Sequence, residues 1–155
     1  MELNEFLKQI KGRVLIAGIG NPLRGDDAVG SYIVKALSNE KINAILIDCE
    51  DKPERFIDKI IQHKPDTVIF IDAVHMNHEP AAVVFLKEEN LLHTGISSHQ
   101  SNLKMCIEYI RSKIKTEIFI IGIQPENTDF GKSVSEKVLG VAEILKNILI
   151  QALKK

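Results

Sequence analysis

Two adjacent acids in a glycine-rich segment are the first residues of this sequence that could do chemistry. Residues 18–30 read GIGNPLRGDDAVG, so that Asp26 and Asp27 follow the end of an apolar run. A third acid, Asp72, lies near the end of another apolar run, VIFIDA. An aspartate at the rim of a hydrophobic strand loses hydration at a cost unless it is paired, hydrogen-bonded or bound to a metal. Asp27 and Asp72 are therefore candidate site residues, as metal ligands or as groups that activate water.

Histidines supply the remaining ligand type. His75 lies in the loop after Asp72, and His99 lies in TGISSHQSNL, directly before a predicted helix. Two carboxylates and one imidazole make an oxygen-rich site that suits a divalent transition ion such as nickel, zinc or manganese. The spacing alone predicts a metal site at Asp27, Asp72 and one histidine, and it leaves His75 and His99 as alternatives.

Helix capping is the competing interpretation of the first two acids. Asp26 can accept hydrogen bonds from the first free amides of the helix that follows it, and Asp27 suits the positive end of the helix dipole. We expect a structural role to dominate at Asp26. Capping does not explain Asp72, which lies on a different element.

A nucleotide-binding loop is a weaker alternative for the same segment. Gly18 and Gly20 match the first two glycines of the dinucleotide-binding fingerprint, and Asp48 ends the next strand, where an acid would contact the ribose. The third glycine is missing, because Leu23 takes its place. The two carboxylates would also repel a pyrophosphate at this turn.

Short apolar runs alternate with helical periodicity along the chain. The predicted strands cover residues 13–20, 43–48, 67–73, 81–87 and 116–123. The predicted helices cover residues 26–40, 53–64, 101–114 and 133–155. This order predicts a three-layer α/β/α fold, in which a mostly parallel sheet is covered on both faces.

The link between the third and fourth predicted strands decides the topology. Residues 74–80 are too few for a parallel crossover, so we expect the fourth strand to be antiparallel and near an edge. With the first strand central, ligands would bind beyond the carboxyl ends of strands one and three, where Asp27 and Asp72 lie. Gly30 weakens its helix, and we expect close packing to require it there.

Composition limits the classes of partner. The 155 residues fit one domain, residues 1–155, and 45% hydrophobic residues can build a core. Twenty basic and 21 acidic side chains give a net charge of -1, so we expect neither nucleic acid nor a membrane as partner. The sequence has no CxxC pair, signal peptide or long apolar run, which favours a cytoplasmic protein.

Four segments in the same order resemble the hydrogenase maturation proteases, in particular their HycI-like and HybD-like members. The segments are GIGNPLRGDDAVG, IFIDAV, SSHQSNL and IIGIQP, and the resemblance covers residues 13–145. Enzymes of this family are endopeptidases that remove a C-terminal extension from the large subunit of nickel–iron hydrogenases. The resemblance also implies a twisted five-stranded sheet between helices.

The resemblance assigns the metal ligands residue by residue. They are the second acid of the GDD stretch, Asp27, the acid near the end of strand three, Asp72, and the histidine of the HQ step, His99. Asp27 and Asp72 are also the catalytic candidates: one of them could activate water, or the ion could instead polarise the carbonyl of the peptide bond. The resemblance implies that the metal is nickel already held by the hydrogenase precursor, so we expect no tightly bound metal in the isolated protein. We treat these ligands as exposed rim residues whose replacement leaves the fold intact.

Residues at the same edge of the sheet are expected to contact the substrate. The candidates are Asp26, His75, Gln124 and Pro125; the last two begin the loop after strand five. The resemblance implies that the partner is the hydrogenase large-subunit precursor, and we expect the enzyme to be a monomer. The alternative function is a binding module that recognises a metal-loaded partner without cleaving it.

Overall fold

The computed structural model of the chain describes residues 1–93, 97–98 and 102–155. Helices and strands are numbered in chain order. The helices are α1 (Leu3–Gln9), α2 (Val29–Leu37), α3 (Ile57–Gln62), α4 (Glu88–His93), α5 (Leu103–Lys113) and α6 (Glu136–Ala152). The strands are β1 (Val14–Gly18), β2 (Ile45–Asp48), β3 (Thr67–His75), β4 (Val83–Lys87), β5 (Ser97–Ser98) and β6 (Glu117–Ile123). Short 3-10 helices, Gly25–Ala28 and Pro53–Arg55, precede α2 and α3.

The sheet has the predicted topology. Its strand order is β2-β1-β3-β6-β4, with the two-residue β5 paired to β3. The strands β2, β1, β3 and β6 are parallel, and β4 is antiparallel to β6 at the edge. The prediction of an antiparallel edge strand is confirmed. Its cause is the short link of residues 76–82, which has no room for a crossover helix.

Helices cover both faces of the sheet, as the alternating pattern predicts. Ile69 and Ile71 of β3 belong to a core cluster with residues of α2 and α6. Val68 and Phe70 belong to a second cluster with residues of α3 and α5. Successive residues of β3 thus face opposite layers, because side chains alternate along a strand.

Glycines let α2 lie directly against the ends of β1 and β3. A Cβ on Gly30 would collide with the backbone oxygens of Ile71 and Ile19, and one on Gly18 would collide with the carbonyl oxygen of Gly30. Close packing therefore does require Gly30. A Cβ on Gly20 would collide with the backbone of the turn that leads into α2. This packing accounts for the glycines without a nucleotide.

The sequence pattern predicted no element at α1, α4 or β5. In α1 only Phe6 is fully buried, and its ring stacks on Phe85 at 4.9 Å and meets the edge of Phe119 at 5.5 Å. One buried residue in a seven-residue helix gives no periodic signal. Within the described ranges, no helix has the length and apolar character that crossing a membrane requires.

Candidate active site

The two acids singled out by the sequence lie at the same edge of the sheet. Asp27 is in the 3-10 helix after β1, and Asp72 is near the end of β3. The strands β1 and β3 are neighbours, with Gly18 paired to Ile71. The contact between Gly30 and Ile71 holds the start of α2 against this edge. The fold thus places Asp27 after the end of β1 and Asp72 within β3, one position past the Gly18–Ile71 pair, so that both lie at the edge that the topology predicts.

All three acids are buried. Asp26 and Asp72 have no exposed surface, and Asp27 is 3% exposed. The expectation of exposed rim residues is therefore wrong for Asp27 and Asp72, at an edge where the turn and the start of α2 pack closely against the strands. A buried carboxylate needs hydrogen bonds, a counter-ion or a metal, so the partners of each acid identify its role.

Asp26 holds two distant segments with its carboxylate. Its Oδ2 accepts hydrogen bonds from the backbone N–H groups of Glu126 (2.8 Å) and Asn127 (3.1 Å). Ser135 precedes α6, and its backbone N–H donates to Oδ1 (2.7 Å) while its hydroxyl donates to Oδ2 (2.9 Å). Asp26 therefore fixes the loop after β6 and the N-terminus of α6.

These partners correct the capping prediction for Asp26. The donors come from segments 100 to 109 positions away, not from the first amides of its own helix. The role is structural, as expected, but the contacts fix the residue before α6 and the loop after β6, not the start of α2. Both oxygens of Asp26 thus already accept hydrogen bonds from the protein. A direct contact with substrate stays a prediction for Asp26.

Asp27 differs from its neighbour in having one unused oxygen. Its Oδ2 accepts a hydrogen bond from the backbone N–H of Asn21 (3.0 Å). Its Oδ1 is buried and has no hydrogen-bond donor among the described residues. A buried carboxylate oxygen without a donor is costly in a purely structural site. Oδ1 is thus the atom of this turn that is available to a metal ion or a proton.

Asn21 orients the N–H group that holds Asp27. Its side-chain Oδ1 accepts a hydrogen bond from the backbone N–H of Leu23 (2.9 Å), which closes a local turn, and its Nδ2 donates to Asp51 (3.4 Å). Sequence reasoning missed this residue. The Asn-Pro pair at positions 21 and 22 was the available signal, because it favours turn initiation.

The structure separates the two candidate histidines. The strand alternation places Asp72 on the face covered by α3 and α5, and it places His75, which is exposed, on the opposite face. His99 lies outside the described residues. Ser98, directly before it, pairs with Val74 near the end of β3. The chain that leads into His99 therefore reaches the strand end that carries Asp72.

Gln124 and Pro125, both predicted substrate contacts, are buried here. The side-chain Oε1 of Gln124 accepts hydrogen bonds from the backbone N–H groups of Met76 (2.7 Å) and His78 (3.4 Å). Its backbone exchanges hydrogen bonds with Ala81 and Ala82, both at 2.8 Å. Gln124 thus organises the loop between β3 and β4. A direct contact with substrate stays a prediction for Gln124, Pro125 and His75.

The ligand chemistry of the edge is incomplete within the described residues. In these ranges, no three His, Cys, Asp or Glu side chains are grouped so that they could hold a metal ion. Asp27 and Asp72 offer hard oxygen ligands, and a metal ion bound here would need a further ligand from elsewhere in the chain or from a bound partner.

The two cysteines do not provide a nucleophile. Both are buried and unpaired. Burial, with a smaller contribution from the charge of Asp48, raises the pKa of the Cys49 thiol to about 12. Burial, with a smaller contribution from Glu54, raises the pKa of the Cys106 thiol to about 11. Neither thiol is ionised near neutral pH, and only the thiolate attacks.

Sequence comparisons match most of the chain to known proteins. The family model described as hydrogenase maturation protease matches residues 29–152. A protein of Methanocaldococcus jannaschii assigned to hydrogenase maturation proteases is 35% identical over an alignment of 162 positions. The alignment covers 99% of this chain and 95% of that protein. The hydrogenase 3 maturation protease of Escherichia coli K12 is 24% identical over 127 residues, 81% of each chain.

A solved structure gives the same result. The crystal structure of the [NiFe] hydrogenase maturation protease HycI from Thermococcus kodakarensis superposes with a TM-score of 0.88 at 31% identity. The superposition covers 99% of this chain and 100% of that chain. The resemblance read from four short segments is therefore confirmed, and the chain belongs to the hydrogenase maturation protease family.

Proposed function

We propose that this peptidase removes the C-terminal extension from the large-subunit precursor of a nickel–iron hydrogenase, and that Asp27, Asp72 and His99 bind the nickel that the precursor carries. The observation that supports this proposal is the buried Oδ1 of Asp27. It lies at the edge that also holds Asp72, and it has no donor among the described residues. A cation brought by the substrate would supply the partner that this oxygen lacks.

The ligand set supports a metal delivered by the substrate. Two carboxylates and one imidazole leave coordination positions open, and they include no thiolate that would hold nickel tightly. The precursor would fill the remaining positions. An unloaded precursor would offer no ion to the carboxylates, so the site would act as a checkpoint for nickel insertion.

His99 is preferred over His75 as the third ligand. Ser98, the residue directly before His99, pairs with Val74 near the end of β3. His75 faces the opposite side of the sheet from Asp72. A protonated imidazole cannot bind a metal. If His99 is a ligand, cleavage should therefore slow at about pH 5, below the ordinary pKa of histidine.

Asp27 and Asp72 are also the proposed catalytic groups. Hydrolysis needs a base that accepts a proton from the attacking water. With the precursor bound, these carboxylates are the acceptors at the edge of the sheet. The buried thiols do not compete for this role, because they stay protonated.

The test compares precursor purified with and without nickel, each mixed with metal-free enzyme. Mass spectrometry of the large subunit should show the loss of the extension only for the nickel-loaded precursor. A chelator added after loading should leave cleavage unchanged. Equal cleavage of both precursors would refute the checkpoint. Binding of the loaded precursor without any change in mass would make the chain a binding module.

We also propose that the enzyme acts in the cytoplasm as a monomer. Two buried, unpaired cysteines are compatible with a reducing compartment. Light scattering of the purified chain should give a mass near 17.4 kDa, and a dimer mass would contradict the monomer.

A further inference from the structure

Two strongly exposed apolar side chains lie beside the proposed site. Leu23 is 58% exposed and Phe130 is 69% exposed. Leu23 is four positions before Asp27, and Phe130 is in the loop after β6. Side chains this exposed contribute little to the core, so their apolar surface is available to a partner.

Backbone hydrogen bonds join the two loops into one unit, which we call the lip and define as residues 21–27 and 126–132. The N–H of Gly131, next to Phe130, donates to the carbonyl oxygen of Leu23 (2.7 Å). The N–H of Gly25 donates to Lys132 (2.9 Å). Leu23 and Phe130 are therefore presented by adjacent, bonded pieces of backbone.

The carboxylate and the backbone N–H of Asp26 also hold the two loops of the lip together. The carboxylate accepts hydrogen bonds from the N–H groups of Glu126 and Asn127, and the N–H of Asp26 donates to the carbonyl oxygen of Asn127 (2.8 Å). The lip is thus held before any partner arrives, and a preorganised surface loses less entropy on binding. The segment of Leu23 also carries Asp27, so the exposed apolar side chains lie on the same unit as the proposed metal ligand.

We propose that the lip is the docking surface for an apolar segment of the precursor polypeptide next to its metal-binding region, with Leu23 and Phe130 as the anchors. This proposal rests on the function proposed above and names the recognition element of that site. Asp27 is itself part of the lip, so a polypeptide whose metal binds Asp27 would lie next to it. Buried aromatic and aliphatic side chains at the centre of an interface supply most of its binding energy.

The charges of the lip favour apolar rather than ionic recognition. Arg24 and Lys132 are exposed on it, and so are Glu126 and Asp129. Positive and negative groups balance, so the surface gives little electrostatic steering to a charged partner. Binding of the precursor should therefore depend weakly on salt concentration.

The experiment measures the Kd and kcat/KM of the nickel-loaded precursor for Leu23→Ala, Phe130→Ala and Ile144→Ala. Ile144 is the matched control, because it is an apolar side chain, also 58% exposed, on α6. Each lip variant should raise Kd and lower kcat/KM about tenfold, and Ile144→Ala should change neither. Phe130→Leu, which keeps an apolar side chain, should recover most of the loss.

The outcomes separate the two proposals. If the wild-type enzyme cleaves the precursor and both lip variants bind it normally, the docking surface is refuted and the proposed function stands. If Ile144→Ala weakens binding as much as the lip variants, the effect is not specific to the lip and the proposal also falls. If the wild-type enzyme neither binds nor cleaves the precursor, the proposed function itself is refuted.

Discussion

The two acids of one turn, Asp26 and Asp27, have opposite environments. Both are buried, but Asp26 accepts hydrogen bonds from two loop amides and from both donors of Ser135, and Asp27 accepts one from Asn21. The first carboxylate is satisfied by the protein. The second keeps a buried oxygen without a donor in the described residues.

Burial alone does not identify a functional acid. What differs is the number of donors that the fold delivers to each carboxylate. Asp26 works within the scaffold, because fixed N–H groups replace its hydration. One oxygen of Asp27 accepts the hydrogen bond that holds the side chain in place, and the other has no donor among the described residues. The predictions below test this division.

The largest effect is expected from Asp72→Ala. Loss of a proposed ligand and proton acceptor should reduce cleavage of the nickel-loaded precursor about a thousandfold. Asp48→Ala is the matched control, because Asp48 also ends a parallel strand at this edge but pairs with Lys35 (3.7 Å). Mass spectrometry of the product gives both rates. Full activity of Asp72→Ala would remove Asp72 from the site.

Asp26→Asn should reduce stability, although an asparagine can cap a helix. An amide has only one acceptor oxygen. The NH2 group of the substituted side chain would therefore face at least one of the N–H groups that now donate hydrogen bonds to the Asp26 carboxylate. The free energy of unfolding should fall by about 2–3 kcal/mol, as measured by urea denaturation. An unchanged denaturation midpoint would contradict the role assigned to Asp26.

Ser135→Ala removes one of the donors to Asp26 and should reduce stability less than Asp26→Asn. The variant loses the hydroxyl donor and keeps the backbone N–H that bonds Oδ1. The expected loss is about 1 kcal/mol. Ser38→Ala is the control, since the hydroxyl of Ser38 is exposed and donates to its neighbour Lys35. A loss at position 135 no larger than at position 38 would mean that the hydroxyl contributes nothing to the Asp26 contacts.

The smallest effect on stability near neutral pH is expected from the buried thiols, because they stay protonated there. Because burial raises both pKa values above 9.0, the folded thiols keep their protons where the unfolded thiols ionise. They therefore cost no stability below that pH, and stability falls as pH rises from 9.0 towards 11 and 12. At about pH 8, iodoacetamide should label Cys49 and Cys106 only after unfolding. Rapid labelling of the native protein would contradict their burial.

Much of the fold could be predicted from the sequence, because the buried strands are continuous apolar runs. The short link after β3 also determined the direction of β4. The elements that were missed are short. The two-residue β5 and the seven-residue α1 offer too few residues for a periodic pattern.

The site was predictable only in part. The topology placed Asp27 and Asp72 at one edge, since parallel strands end on the same side. The partners of Asp26 were not predictable, because its donors lie 100 to 109 positions away and are mostly backbone N–H groups. Backbone donors have no sequence signature. The same reason hid the contribution of Asn21 to Asp27.

The most direct test of the account compares Asp27→Asn with Asp26→Asn at a temperature where both variants are fully folded. Asp27→Asn should cleave the nickel-loaded precursor about a thousandfold more slowly than wild type, with a free energy of unfolding within about 1 kcal/mol of wild type. Asp26→Asn should keep its rate within about tenfold of wild type while losing stability. Wild-type cleavage by Asp27→Asn, or an inactive Asp26→Asn with unchanged stability, would contradict the division between the two acids.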